Sequence, residues 1–345
     1  MGRSVRVLDG RVPGGGASRA SAGVLAPYVE GHDSRPLRQL GQRSLAGYEA
    51  FVGTIVAASG ADVAFHRTGT VEVATSPADV ARLARSKATA DAEGVAAEWL
   101  DATSARHAEP GLGAHVIGAL HIPMHAAVDV PALTSAAAAA ARTLDAEFVQ
   151  TQVLGLAKDG SAIAVRTAHG VRRAAQVVLA AGAWSAGLAP PGADAAPVRP
   201  VRGQLLYLGT PPGTLRHIVW APDVYLVPWA EGTVLVGATS EDVGFDERAT
   251  ASGVAGLLAR ASALVPVLGE ATFLEARHGL RPGSPDDLPF VGPSATLPGL
   301  FYACGHYRNG ALLAPLTAWL VAGLLAGDRS DAALALLAPA RAGRL

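Results

Sequence analysis

Lysine, cysteine and excess charge of either sign are what this sequence has least of. Only two of its 28 basic residues are lysines, Lys87 and Lys158; the rest are arginines. With the abundance of Ala, Gly and Pro, that reads as a nucleotide-composition bias rather than an adaptation. The 28 basic residues against 29 acidic ones leave a net charge of −1. No long-range field recruits nucleic acid or anionic lipid, so neither is an expected partner. The single cysteine, Cys304, excludes an internal disulfide and every multi-cysteine zinc or iron–sulfur site. A reducing, cytoplasmic setting is expected. Charged residues are scarce at 17% and hydrophobic ones make up 50%, too little charge for a disordered chain and ample material for a core. A length of 345 residues suggests two domains.

Long apolar runs are also few. Met1–Asp9 turns acidic before an apolar stretch can form, so no secretory signal is expected. Residues 309–327 approach membrane length, but they carry Pro315 and Thr317 and are rich in small side chains. A buried C-terminal helix is the better reading than a span. His121 and His125 have a metal-like spacing, yet Pro123 between them spoils a helix, so structural roles and no metal are expected. Cys304 reads as a small core residue in a strand.

What is present alternates. Val5–Leu8 is a short apolar strand ending at Asp9, followed by a glycine-rich loop over 13–23. One amphipathic helix is expected from Pro36 to Ala58, a strand over Gly69–Ala74, and helices over Pro77–Ala92 and Val130–Leu144. Strands Val149–Leu156 and Ala162–Ala168 are joined across Lys158-Asp159-Gly160, a hairpin turn. Gln176–Ala181 is a fully apolar strand running into Gly182, and the Pro-rich stretch 190–200 looks like a domain crossing. Residues 204–238 are strand-rich. A helix over 250–264, a strand over 271–276, a loop over 279–295, strand Leu300–Cys304 and the last helix complete the chain. The fold class this predicts is α/β: a Rossmann-like nucleotide layer with an antiparallel-sheet substrate domain. The nucleotide domain is assigned to 1–60, 140–195 and 290–345, the substrate domain to 61–139 and 196–289.

Three segments carry chemistry. An acid closing a strand, as Asp9 does, bonds a ribose hydroxyl in dinucleotide folds, although a surface aspartate after a strand is the commoner case. The loop Gly14–Gly23 offers backbone N–H groups with little side-chain bulk, as close approach to a flat or phosphorylated ligand requires. The strongest segment is 305–315, GHYRNGALLAP. There a buried strand opens into a loop and an apolar helix begins, giving unpaired N–H groups and a positive dipole end. Arg308 in that loop can offer a fork to a carboxylate.

Asp9 with GGGASRASAGVLAP (14–27), VVLAAGAWS (177–185), VYLVPWAEGTVLVGATSEDVGFD (224–246), HGLRPGSPDDLPFVG (278–292) and GHYRNGALLAP (305–315) resembles the FAD-dependent amino-acid oxidases, the D-amino-acid oxidase family, and within it the glycine oxidases of thiamine synthesis. The likeness runs to about position 327 in family order; GLRP and GHYRNG are its specific parts. It implies FAD as cofactor and oxidative deamination of glycine and small amines, with a small amino acid and oxygen as partners. Homo-oligomerisation stays open, as does an electron acceptor other than oxygen, in the manner of a D-amino-acid dehydrogenase. It places Asp9 and Gly10 at the adenosine ribose, where the family usually has a glutamate. Ala17, Ser18, Ala22, Gly23 and Val24 fall on the flavin-side loop, Val153 beside the adenine, and Gly182 on the strand passing beneath the cofactor. His306, Tyr307, Arg308, Asn309, Gly310, Ala311 and Leu312 would wrap the isoalloxazine edge. Arg281 would clamp the substrate carboxylate, with Tyr225 as its hydroxyl helper and Arg308 as a second arginine.

One departure is severe. The family opens with a strand and G-x-G-x-x-G entering a helix, which hold the pyrophosphate. This chain starts at the next strand, so roughly 30 residues of the βαβ unit are missing. The triplet Gly14–Gly16 follows that strand and enters no amphipathic helix. A gap in the sheet beside Val5–Leu8 and poor FAD binding are expected. The favoured explanation is a true start lying upstream; the other is a truncated, non-enzymatic fragment that binds no flavin.

Overall fold

The structure, a computed structural model, describes residues 2–30 (Glu30 by its backbone only) and 34–345. It is an α/β fold in which a small parallel layer faces a large, mostly antiparallel sheet. In the parallel layer Arg6–Asp9 pairs with Glu147–Gln150, in register Arg6 to Glu147. A separate piece pairs Val177–Leu179 in parallel with Leu300–Cys304, whose other edge takes Phe290–Pro293 antiparallel. Among the described residues, the other edges of Arg6–Asp9 and Val177–Leu179 carry no ladder partner, and both edges line one cavity. A three-stranded meander, Val153–Asp159, Ala162–Thr167 and Gly170–Ala174, lies alongside.

The large sheet has eight strands in the order Thr272–Gly283, Arg199–Gly209, Thr233–Gly237, Val224–Pro228, Ile218–Ala221, Thr70–Ala74, Gly118–Ile122 and Glu98–Asp101. Side chains alternate between its faces, as the pleat requires. Leu206, Leu208, Leu226, Val234 and Val236 pack on Leu257, Ala261 and Leu264 of helix Ala251–Leu264. Their neighbours Leu205, Val227 and Leu235 point the other way, toward Ala22 and Ala127 beside the glycine-rich loop. That second face carries the site.

Several helices begin where short polar side chains cap them. Ser34, Ser76, Asp129 and Thr250 each accept a backbone N–H of the first turn, an arrangement worth about 1 kcal/mol apiece.

The structure corrects three sequence expectations. The single helix over 36–58 is two, Arg35–Ala46 and Tyr48–Ser59, broken at Gly47. The Trp319 ring of helix Ala314–Ala326 occupies the space a Cβ at Gly47 would take. The strand over 149–156 is likewise two, because the chain leaves one sheet after Gln150 and enters another at Val153. The loop over 279–295 is strand as far as Gly283. Thr272–Gly283 pairs along its length with Arg199–Gly209, and Val201 lies opposite Arg281. Its glycines and proline hide a strand whose geometry the partner imposes.

The apolar helix expected last runs over Ala314–Ala326 and is followed by a short one, Ala333–Leu337; among the described residues no helix is long and apolar enough to cross a membrane. Cys304 is buried in its strand. His121 lies in Gly118–Ile122 with its ring 5.3 Å from that of His217, and the Nδ1 of His125 meets the Thr70 hydroxyl at 2.7 Å.

Candidate active site

Between the parallel layer and the large sheet lies a cavity of about 2950 Å³, well above the 300–1,000 Å³ of common ligand pockets. Asp9, Gly10, Ala17, Ser18, Ala22, Gly23, Val24, Val153, Gly182, Tyr225, Arg281, His306, Tyr307, Arg308, Gly310 and Ala311 all lie on its wall. Asn309 and Leu312 do not. Both are 2% exposed, and Leu312 packs among Leu25, Leu45 and Tyr48. The Asn309 backbone is spent within the protein as well, its amide donating to the His306 carbonyl at 2.9 Å and its carbonyl accepting the Leu313 amide at 2.8 Å.

At one end, Asp9 closes its strand and its Oδ1 accepts the Arg11 amide at 2.9 Å, leaving Oδ2 without a protein partner among the described residues. The loop beyond folds into a 3-10 turn over Ala17–Ala20 and then presses onto its neighbours. Gly23, at φ +71°, sits so close to Val128 that a Cβ would fall on the carbonyl oxygen there. Only glycine permits that approach.

The segment expected at the isoalloxazine edge is a loop over 305–313, between strand Leu300–Cys304 and helix Ala314–Ala326. The Nε2 of His306 meets the Thr317 hydroxyl at 2.9 Å. Burial pushes its imidazole down to about 4, so it is neutral at pH 7. Tyr307 adopts φ +48°, a left-handed conformation uncommon outside glycine. In that pose its amide donates to the Pro282 carbonyl at 2.9 Å, tying this loop to the strand bearing Arg281. The Arg308 guanidinium lies 5.4 Å from the centroid of the Tyr307 ring. Leu313 donates back to the Asn309 carbonyl at 2.8 Å, while the amides of Gly310, Ala311 and Leu312 find no protein acceptor among the described residues.

Arg281 and Tyr225 occupy the opposite wall, on the large sheet. One Nη of Arg281 donates to the Thr239 carbonyl at 3.0 Å. Among the described residues no carboxylate pairs with it, so the rest of its fork is uncommitted. Tyr225 stacks on Trp220 at 4.6 Å between centroids and 16° between planes. Thr239 is itself held firmly. Its hydroxyl donates to Glu241 at 2.6 Å and accepts the Gln204 amide at 2.9 Å. Burial pushes the Glu241 carboxyl up, but hydrogen bonds from Arg202, Thr239 and Gln204 outweigh it and hold the group down at about 2.

The model of the FAD dependent oxidoreductase family matches residues 1–324. The chain belongs to that family. Among its relatives is the glycine oxidase of Geobacillus kaustophilus (strain HTA426), 35% identical over 335 residues, covering 96% of this chain and 88% of the relative. The crystal structure of glycine oxidase from Geobacillus kaustophilus superposes with a TM-score of 0.95, covering 98% of this chain and 92% of that one. The bifunctional protein ThiO/ThiG of Nostoc sp. is 35% identical over 322 residues, 91% of this chain, which spans about half that protein's length (48%).

As an FAD-dependent oxidoreductase, the chain works with FAD, and the cavity suits that cofactor on its own evidence. Two consecutive cavity-lining amides without acceptors, those of Gly310 and Ala311, stand in the turn that leads into helix Ala314–Ala326. Such a terminus favours the electron-rich edge of a flavin. An uncommitted carboxylate oxygen on Asp9 suits a ribose hydroxyl. The sequence did not single out Gly203, Trp220, Gly237 and Thr239, which touch Arg281 or Tyr225 on the large sheet. A signal did exist for the glycines, since a glycine inside a strand marks a close approach; which side chain approaches could not be read.

Proposed function

We propose that the chain oxidises small amino acids with a free carboxylate: glycine and sarcosine first, D-alanine more weakly, bulky D-amino acids poorly. One observation carries the reading. Arg281 presents an uncommitted guanidinium to the same cavity that Gly310 and Ala311, with their acceptor-free amides, line just before helix Ala314–Ala326. Arg281 holds the carboxylate through its planar fork, Tyr225 adds a hydroxyl, and Arg308 supplies a second cation.

FAD, when bound, supplies a two-electron acceptor. The substrate loses a hydride from its α-carbon and a proton from nitrogen to become the imine. Water then adds and releases ammonia, or methylamine from sarcosine, leaving the 2-oxo acid, glyoxylate from glycine and sarcosine alike. The hydride leaves readily only when nitrogen has its lone pair, so the bound amine must be neutral. The positive charges of Arg281 and Arg308 favour that form, and the neutral His306 adds no charge against it. Oxygen takes up the two electrons as hydrogen peroxide, and the product feeds the thiazole half of thiamine.

Peroxide release from each amine, followed across pH with FAD supplied, tests the proposal. Activity rising with pH as the bound ammonium deprotonates, with glycine or sarcosine preferred, is the expected result. Preference for a large D-amino acid, or turnover with a quinone and none with oxygen, would overturn it.

A further inference from the structure

The two side chains assigned to the substrate lie flat on the large sheet, and each rests on a glycine. A Cβ built on Gly203 would fall inside the Arg281 guanidinium. One built on Gly237 would fall inside the Tyr225 ring, next to its hydroxyl. Register explains the match. Tyr225 and Leu205 both lie opposite Gly237, and Val201, two residues from Gly203, lies opposite Arg281. These positions share the sheet face turned toward the glycine-rich loop. Any other residue at 203 or 237 would lift the side chain above it by the thickness of a methyl group.

We propose that Gly203 and Gly237 are positioning residues: their missing side chains form a recess that fixes the height and tilt of the Arg281 fork and the Tyr225 hydroxyl. The Thr239 carbonyl pins the guanidinium from the side at 3.0 Å, and Glu241 pins Thr239. Arg281 needs no carboxylate partner to stay in place, so its full charge remains for the substrate. A guanidinium held by an acid would reach the same pose with that charge already neutralised. The recess therefore provides geometry without a counter-ion. The idea rests on the reading of Arg281 as the carboxylate clamp.

The test titrates the full chain, with FAD in excess, with sodium acetate by calorimetry, and records Tm for each variant. Gly203→Ala should weaken acetate about ten- to a hundredfold, the worth of one charge-assisted hydrogen bond, while binding of methylamine changes less than about twofold. The decisive readout is coupling. Added to Arg281→Ala, Gly203→Ala should cost neither further acetate affinity nor Tm, because the side chain it displaces is gone. Gly237→Ala should behave the same way on Tyr225→Ala. If Gly203→Ala is too unstable to titrate, recovery of Tm in the double variant still decides. A double variant as unstable as Gly203→Ala alone would overturn the proposal, as would unchanged acetate binding in a folded Gly203→Ala. Unchanged acetate binding in Arg281→Ala would instead remove the carboxylate reading on which the proposal rests.

Discussion

Replacing Arg281 by lysine keeps the charge and discards the geometry, so it separates the two contributions. In the wild-type chain one nitrogen of the fork is spent on the Thr239 carbonyl at 3.0 Å, and the flat group rests over Gly203. The remaining N–H groups can then meet both oxygens of a carboxylate. A lysine ammonium is a point charge on a flexible stem. If it reaches the Thr239 carbonyl it cannot also present two parallel donors, so at least one charge-assisted hydrogen bond is lost. Such a bond is worth about 1.5–3 kcal/mol, which corresponds to roughly a ten- to hundredfold rise in KM for glycine. The fold depends far less on this residue. Arg281 makes no ion pair among the described residues and a single bond to backbone, so stability should fall by under ~1 kcal/mol and Tm by no more than about 2–4 °C. Steady-state kinetics with glycine and a thermal melt on the same preparation suffice. A KM within about threefold of wild type, under ~0.7 kcal/mol, would refute the fork as the binding device. A large loss of Tm with little change in KM would assign Arg281 to structure.

Three further outcomes follow from the same geometry. Because burial holds the folded His306 near 4 while an unfolded histidine titrates near 6.5, the unfolded state takes up the proton first. Stability should therefore decline as pH falls from about 6.5 toward 4, by up to about 3 kcal/mol; denaturant titrations of His306→Asn that keep the wild-type slope would refute this. Gly47→Ala meets the Trp319 ring at a position whose φ of −96° strains no residue, so it should cost about 1–3 kcal/mol, and Trp319→Ala should recover most of it in a denaturation series. Asp9→Asn should weaken FAD about tenfold by fluorescence titration while leaving the Tm of the FAD-free chain within about 1 °C, since the Asp9 side chain bonds only the Arg11 amide two residues on.

The strands and helices with clean periodicity were readable without any structure. Val130–Thr143 and Pro77–Ala92 follow from their spacing, and the hairpin at Gly160 follows from its turn residues. The two segments that line the cavity were equally legible, because a glycine-rich loop and a strand-to-helix junction declare themselves locally. Tertiary structure decided the rest. The strand carrying Arg281 exists because Arg199–Gly209 supplies its ladder, overriding local glycines and a proline. The break at Gly47 depends on a tryptophan 272 residues away, whose ring needs that space. Asn309 and Leu312 belong to the right segment but turn inward and stay off the cavity wall, both being 2% exposed. The recesses at Gly203 and Gly237 come from register across four strands joined by three pairings. Contacts between residues near in sequence are written in composition and spacing. Those between distant residues arise only when packing brings their backbones to one face.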